Sequence, residues 1–290
     1  MTAATFEAGL YLDMTPEDYH ADPVPGGSLS SGGARRLLPP GCPALFKYER
    51  DHTVPTRRVF EIGHAAHAEA LGTGPELVDM GPDDWRTNAI KAKVAEARER
   101  GAVPLKTPEY QMIRDMAKVL REHEIAGPLL AMQGHAEASI FWQQYGIWRR
   151  ARLDWLTDYA VVDYKTADTV EPGALERAMH RYGYYAQGDW YLDAARAVGF
   201  DPTAFFLIAQ EKTAPYLVTV ADPDHNALKV GRMRNREAID IYRECAATGI
   251  WPAYPLLYGD AGRHTGNEVA HLALPAWVET QYLKESTWNR

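Results

Sequence analysis

Alternation of apolar and polar residues is clearest between positions 137 and 166. Residues 137–145 read as a strand with Glu137, Ser139, Phe141 and Gln143 on one face, and Gly146 suggests a hairpin turn into a second strand over 148–156. In that second strand Arg152 and Asp154 share a face, with Leu153 and Trp155 on the other. A turn at Thr157 and Asp158 leads into a third strand, in which Val161, Asp163 and Lys165 lie opposite Ala160, Val162 and Tyr164. The three strands are expected to be antiparallel. A carboxylate and an ammonium two residues apart therefore project from an otherwise apolar strand, and a second carboxylate, Asp154, comes from the strand before it. Burying such charges costs several kcal/mol unless an ion or a metal offsets it. An isolated Asp-x-Lys is also compatible with an ion pair on a solvated sheet face.

Around these strands the spacing is helical. Ser28, Ser30 and Ser31 precede a short helix through Leu38, stopped by Pro39 and Pro40. Its start is either a simple capped surface turn or an anion site with Arg35 and Arg36 one turn inside. A second short segment covers 42–48, and 59–71 forms a helix in which Gly63 and His67 fall near one stripe, with His64 beside it. A glycine there costs about 1 kcal/mol relative to alanine and is expected where something approaches closely. Polar helices follow over 83–100 and 107–123, with a break at Gly127 and Pro128. One long helix is expected over 172–197, then strands over 203–211 and 216–220 and a closing helix over 222–248. In the long helix Tyr184, Gln187 and Tyr191 share a face. The organisation is thus an extended lead-in over 1–27 and a mixed α/β (α+β) domain over 28–250, with a helical insertion at about 83–123. A tail over 251–290 is expected to pack on the domain or on a neighbouring subunit.

Composition narrows the function classes. The chain has 290 residues, 46% hydrophobic and 24% charged, ordinary for a soluble globular protein. No apolar run approaches the length of a membrane span, so no membrane partner is expected, and the first residues lack the basic and apolar regions of a signal peptide. Two cysteines, Cys42 and Cys245, provide no disulfide framework and no four-cysteine cluster, which fits a reducing cytoplasm. The net charge of −8 argues against nonspecific coating of nucleic acid. It leaves room for an enzyme that gathers basic residues locally, and clusters occur at Arg35 and Arg36, at Arg149, Arg150 and Arg152, at Arg177 and Arg181, and from Lys229 to Arg236.

Four elements follow one another along the chain: Gly63-x-x-x-His67 on a helix, Arg152-x-Asp154 on a strand, Asp163-x-Lys165 followed by Thr166 on the next strand, and Gln187-x-x-x-Tyr191 on a helix. In this order the chain resembles the PD-(D/E)XK nuclease superfamily and, within it, the RecB-like exonucleases. The stretches LSSGGARRLL at 29–38, Glu137 ahead of the paired strands, VVDYKTA at 161–167, and Glu211-Lys212 with Pro215-Tyr216 are most similar to the RecE-type, exonuclease VIII-like enzymes of phages and prophages. The likeness spans about 28–220. Leu153 stands where the family usually has proline before its first aspartate.

The resemblance implies a central mixed sheet flanked by helices and a site that hydrolyses phosphodiesters with Mg²⁺ or Mn²⁺, two ions per site. Its metal ligands would be Asp154, Asp163, the carbonyl of Tyr164 and the imidazole of His67, a donor set that suits Mn²⁺ better than Mg²⁺. One ion would lower the pKa of the attacking water and the other would stabilise the leaving oxygen. Lys165 would orient the water or stabilise charge on the phosphate. Gln187 and Tyr191 would hold the DNA end or the active-site strand, and Glu137 would act on the water or in the outer shell. Arg35, Arg36, Arg152 and Thr166 would contact DNA, and His64 would be structural. The implied activity is exonuclease digestion of linear double-stranded DNA, 5′ to 3′, leaving 3′ overhangs. The implied partners are an annealing or recombination protein and further copies of the chain in a ring. A single-strand or flap nuclease, or a catalytically silent DNA-binding subunit, would carry the same framework.

Overall fold

Tyr145 and Gly146 both adopt left-handed backbone conformations, φ 56° and 78°, as a tight hairpin between right-twisted strands requires. The computed structural model describes residues 6–52, 58–81, 84–254 and 274–285. In chain order its elements begin with β1 (Gly9–Tyr11), α1 (Pro16–Ala21), β2 (Leu29–Ser30), α2 (Ser31–Leu37), α3 (Pro43–Asp51) and α4 (Arg58–Leu71). There follow β3 (Leu77–Asp79), α5 (Asn88–Glu99), β4 (Val103–Leu105), α6 (Thr107–Glu122) and α7 (Ala126–Ala131). The hairpin strands are β5 (His135–Gln144) and β6 (Ile147–Leu156), succeeded by β7 (Ala160–Ala167), α8 (Pro172–Tyr182) and α9 (Tyr184–Ala197). The rest are β8 (Ala204–Glu211), β9 (Val218–Ala221), α10 (His225–Thr248) and α11 (Ala276–Glu285).

Seven strands form one mixed sheet, ordered β1-β5-β6-β7-β8-β9 with β2 beside β6. As the alternation predicts, β5, β6 and β7 are antiparallel neighbours. The β6–β7 turn is closed by Thr157, whose hydroxyl accepts from the Ala160 N–H and donates to its carbonyl. β8 lies parallel to β7 along its whole length, so the chain crosses back over the sheet through α8 and α9. Helices cover both faces. Leu37, Phe46, Trp190 and Ile239, from α2, α3, α9 and α10, pack on Val161, Phe205 and Leu207. On the opposite face Ala66, Met116 and Leu120, from α4 and α6, pack on Val162, Tyr164 and Ile208. The period-two reading of β7 therefore holds residue by residue. It slips in β6, where Leu153 and Leu156 join one core while Trp155 packs on the other. At the same level β5 carries Glu137 with φ 52°, a left-handed residue inside a strand, which re-aims neighbouring side chains as a bulge does.

Several expectations are corrected. The first 27 residues are more than a lead-in: β1 pairs with β5, and α1 places Tyr19 against Phe141, because Thr15 caps that helix and Pro16 starts it. Within 83–123, where a helical insertion is expected, the helices are α5 and α6, with β4 between them. α6 closes the core beneath β7 and β8, and β3 and β4 form a separate two-stranded parallel sheet. Gly127 and Pro128 sit within short helix α7 rather than in a break. The long helix expected over 172–197 is cut at Gly183, whose φ of 70° ends α8 and begins α9. Close approach was expected at Gly63, but a Cβ there would meet no described atom within 4 Å beyond its chain neighbours and the backbone of its own helix. At the start of the tail, Trp251 stacks on Phe46 and the Pro252 carbonyl accepts from the Ala44 N–H; residues 255–273 lie outside the described residues. Among the described residues no helix is long and apolar enough to cross a membrane.

Close approach does occur where α10 crosses α9. A Cβ at Gly231 would sit 2.5 Å from the backbone oxygen of Tyr185. Helix propensity favours alanine there, but backbone cannot rotate aside. Gly231→Ala should therefore destabilise the fold by about 1–3 kcal/mol, seen as a lower denaturant midpoint. An unchanged or higher midpoint would mean that the two helices separate without loss.

Candidate active site

The inner edge of β6 is shared between two strands. β2 pairs with it at Arg149 and Arg150, and β7 pairs with it only at Trp155 and Leu156. Between these contacts residues 151–154 have no strand partner on that edge, and β7 diverges beyond Val162. The backbone N–H of Tyr164, released from the ladder, is taken by the Asp154 carboxylate at 2.8 Å. This bond holds the two strands in a wedge and aims Asp154 into it.

Asp163, fully buried, and Lys165 line the same wedge. Lys165 Nζ donates to Asp163 Oδ1 at 2.7 Å and lies 3.7 Å from Asp154 Oδ2. Gln187, from α9, donates to Asp163 Oδ1 at 3.2 Å and to the Tyr191 hydroxyl at 2.8 Å. Burial raises the Asp163 carboxyl to about 7, with Lys165 opposing and Asp154 reinforcing the rise. Burial alone would lower Lys165, but the charges of Asp163 and Asp154 outweigh it and hold the ammonium above its ordinary value. Burial, and then the same two carboxylates, push the Tyr191 phenol well up. Two carboxylates thus share one ammonium in a poorly solvated wedge.

The donor set fits a divalent cation. His67, Glu137 and Asp154 each offer a ligand atom, all within 4.8 Å of one another. His67 Nδ1 is 3.6 Å from Asp154 Oδ2, and its ring rests 5.0 Å from that of Tyr164. Glu137 also binds Arg152, at 2.7 Å, and Arg152 donates further to Ser139 and to the Met14 carbonyl. Asp163 keeps one oxygen, Oδ2, buried and without a hydrogen-bond partner among the described residues. A buried carboxylate oxygen left without a donor is costly, and a cation would satisfy it. Carboxylates with one imidazole match the hard-to-borderline ions Mg²⁺ and Mn²⁺.

The wedge opens into a cleft of about 770 Å³. Although the chain carries a net charge of −8, the cleft walls hold Arg35, Arg150, Arg152, Lys165, Arg181 and Arg234 against, among the described residues, only the carboxylates Glu137 and Asp154. Of the residues expected to contact DNA, Arg35 and Arg152 line this cleft. Arg36 instead pairs with Glu49 at 3.1 Å, and Thr166 sits on β7 opposite Gln210, outside the lining. The Tyr164 side chain points away from the wedge and donates to buried Gln210, while its carbonyl lies 3.5 Å from Lys165 Nζ. The His64 side chain lies outside the described residues. Sequence reasoning gave no site role to Arg150, Arg181, Arg234, Tyr182 or Tyr184. The basic clusters were a signal for the arginines, but nothing in the linear order shows that α8, β6 and α10 meet at one cleft.

A family model described as a PDDEXK-like domain of unknown function (DUF3799) matches residues 38–256. No curated protein matches the chain. Its fold is similar to the crystal structure of a protein from Eubacterium rectale, provisionally named an exonuclease, with TM-score 0.60 and 13% identity over 94% of this chain and 99% of that one.

Asp154→Asn would keep an acceptor for the Tyr164 N–H while removing the charge. Saturating Mn²⁺ should therefore raise the melting temperature of the wild type, by roughly 2.7 kcal/mol of stability at a hundredfold excess over Kd, and leave Asp154→Asn nearly unshifted. An equal shift in both proteins would place the cation elsewhere.

Proposed function

The chain belongs to the PDDEXK-like domain family, and on that premise we propose that it is a divalent-metal-dependent deoxyribonuclease, an exonuclease acting at the ends of linear double-stranded DNA. The observation that carries this reading is the wedge itself: Asp154, Asp163 and Lys165 converge at the floor of a cleft whose walls are basic in an otherwise acidic protein. Such charge segregation draws in a polyanion and orients it.

Asp154, His67 and Glu137 would hold the ion, with Asp163 contributing its free oxygen. When bound, Mg²⁺ or Mn²⁺, as one ion or two, supplies an activated water and relieves charge on the phosphate. Lys165 keeps its proton beside both carboxylates and presents a fixed positive charge where negative charge grows on the phosphate. Gln187, tied to both Asp163 and Tyr191, holds the Asp163 carboxylate in one orientation, so little reorganisation is needed as the reaction proceeds. Arg35 and Arg152 would meet backbone phosphates, which positions the strand without reading its sequence.

The likeness to RecE-type enzymes supports 5′-to-3′ digestion leaving 3′ overhangs, a ring of identical subunits, and an annealing or recombination protein as partner. A catalytically silent binding subunit would have no need to keep Asp154, Asp163 and Lys165 together.

The test is digestion of linear duplex DNA labelled at the 5′ or the 3′ end, with Mg²⁺ or Mn²⁺. Early release of 5′ label is expected, with closed circles untouched. Lys165→Ala should slow turnover about 10²- to 10³-fold, as loss of a charge-stabilising donor does. Failure to cut any duplex or single strand with either metal would turn the assignment toward a binding subunit.

A further inference from the structure

The elbow between α8 and α9 has a composition that neither the wedge nor the core explains. Tyr182, Gly183 and Tyr184 follow His180 and Arg181, and all five line the cleft. Tyr184 is partly buried against the main core, one helical turn before Gln187 on the same face of α9, close enough to Lys165, Asp163 and Arg35 for their charges to act on its hydroxyl. Tyr182 is 45% exposed. The two rings lie 5.7 Å apart at 34°. The Arg181 guanidinium stands 5.6 Å from the Tyr182 ring, within cation–π range. Gly183 makes this arrangement feasible in two ways. Its φ of 70° turns the chain sharply between the tyrosines. Its missing Cβ leaves room for the stem of Arg35, whose Cδ would be 3.2 Å from such an atom. A cation from α2 is thereby brought alongside the α8–α9 elbow, and none of the described carboxylates lining the cleft belongs to that elbow.

We propose that Tyr182 and Tyr184 form an aromatic platform on which the end bases of one unpaired nucleic-acid strand stack as that strand enters the cleft, with Arg35 and Arg181 on its phosphates. This rests on the nuclease reading and adds the form of substrate the site accepts. Bases inside a duplex already stack on one another, so an exposed ring can take only a terminal or unpaired base. Aromatic stacking tolerates any sequence, because every base has a π-face, which suits an enzyme that must advance along arbitrary DNA. Tyr184 is anchored and near the reacting groups, and Tyr182 is free toward solvent, so together they lead from the cleft mouth to Lys165.

The probe is a single-stranded oligonucleotide carrying 2-aminopurine at one end, bound in EDTA so that no cleavage intervenes. Stacking should quench its fluorescence on wild-type protein. Tyr182→Ala should abolish the quench and weaken binding roughly 5- to 140-fold, the range expected for loss of one base–aromatic stack, with an unchanged melting temperature because the side chain is exposed. Tyr182→Phe should behave as wild type, whereas Tyr182→Leu should behave as the alanine variant. Abasic end nucleotides should weaken binding to wild type by the same factor and cause no further loss in Tyr182→Ala. Absence of a quench on wild type, a Tyr182→Ala variant that binds and quenches normally, or a Tyr182→Phe variant as weak as alanine would each overturn the platform. A wild-type protein that quenches the probe yet cuts no DNA with metal would overturn the nuclease reading and leave the platform standing.

Discussion

The site depends on a ladder that stops early. β6 and β7 hydrogen-bond for two residue pairs and then part, and the carboxylate of Asp154 takes the first backbone donor that the parting releases. That substitution of a side chain for a strand creates a wedge lined by charge. Asp163 is then buried beside Lys165, and a second carboxylate lies close to the same ammonium. Charges in such surroundings must be partnered. The neighbouring elements supply the partners: α9 brings Gln187 to Asp163, and α4 brings His67 to Asp154. The acceptor left without a donor among the described residues, Asp163 Oδ2, is one that a cation would satisfy.

Consecutive arginines show how the same strand serves core and cleft. Arg149 is buried between Trp142 and Trp190, with guanidinium-to-ring distances of 4.5 and 3.8 Å, and it reaches Asp193 at 3.2 Å. Burial lowers its pKa, and Asp193 opposes the shift. Arg150 and Arg152 face the opposite side, where they line the cleft and pack against Tyr19 of α1. Arg150 is held there by an ion pair with Asp22 and a hydrogen bond to Ser28. The N-terminal segment thus orients cleft cations rather than trailing from the fold.

The α8–α9 elbow is a second point where local backbone chemistry sets the site. A continuous helix would have carried Tyr182 around the axis and away from Tyr184. Gly183 stops it, and the stem of Arg35 packs so close that a Cβ there would stand 3.2 Å from its Cδ. Glycine's conformational freedom therefore acts here through the partner it admits as much as through the turn it permits.

Much of the site was legible in the linear order. Period-two alternation placed Asp163 and Lys165 on one face of β7 and Tyr164 on the other, and helical spacing placed Gln187 and Tyr191 together, because these relations follow from backbone geometry within one element. The antiparallel run of β5, β6 and β7 was legible for the same reason: a hairpin is a local event. What tertiary structure decided was everything that requires distant elements to meet. Glu137 and His67 are 70 residues apart by number, and only the packing of α4 against β7 and a left-handed residue in β5 bring both to Asp154. Arg36 looks equivalent to Arg35 in sequence, yet one residue of helix is 100° of rotation, which turns Arg36 to Glu49 and leaves Arg35 in the cleft. The chemistry of the site was therefore written in the residue types and their local spacing, while its membership was set by which faces remained once the core had been buried.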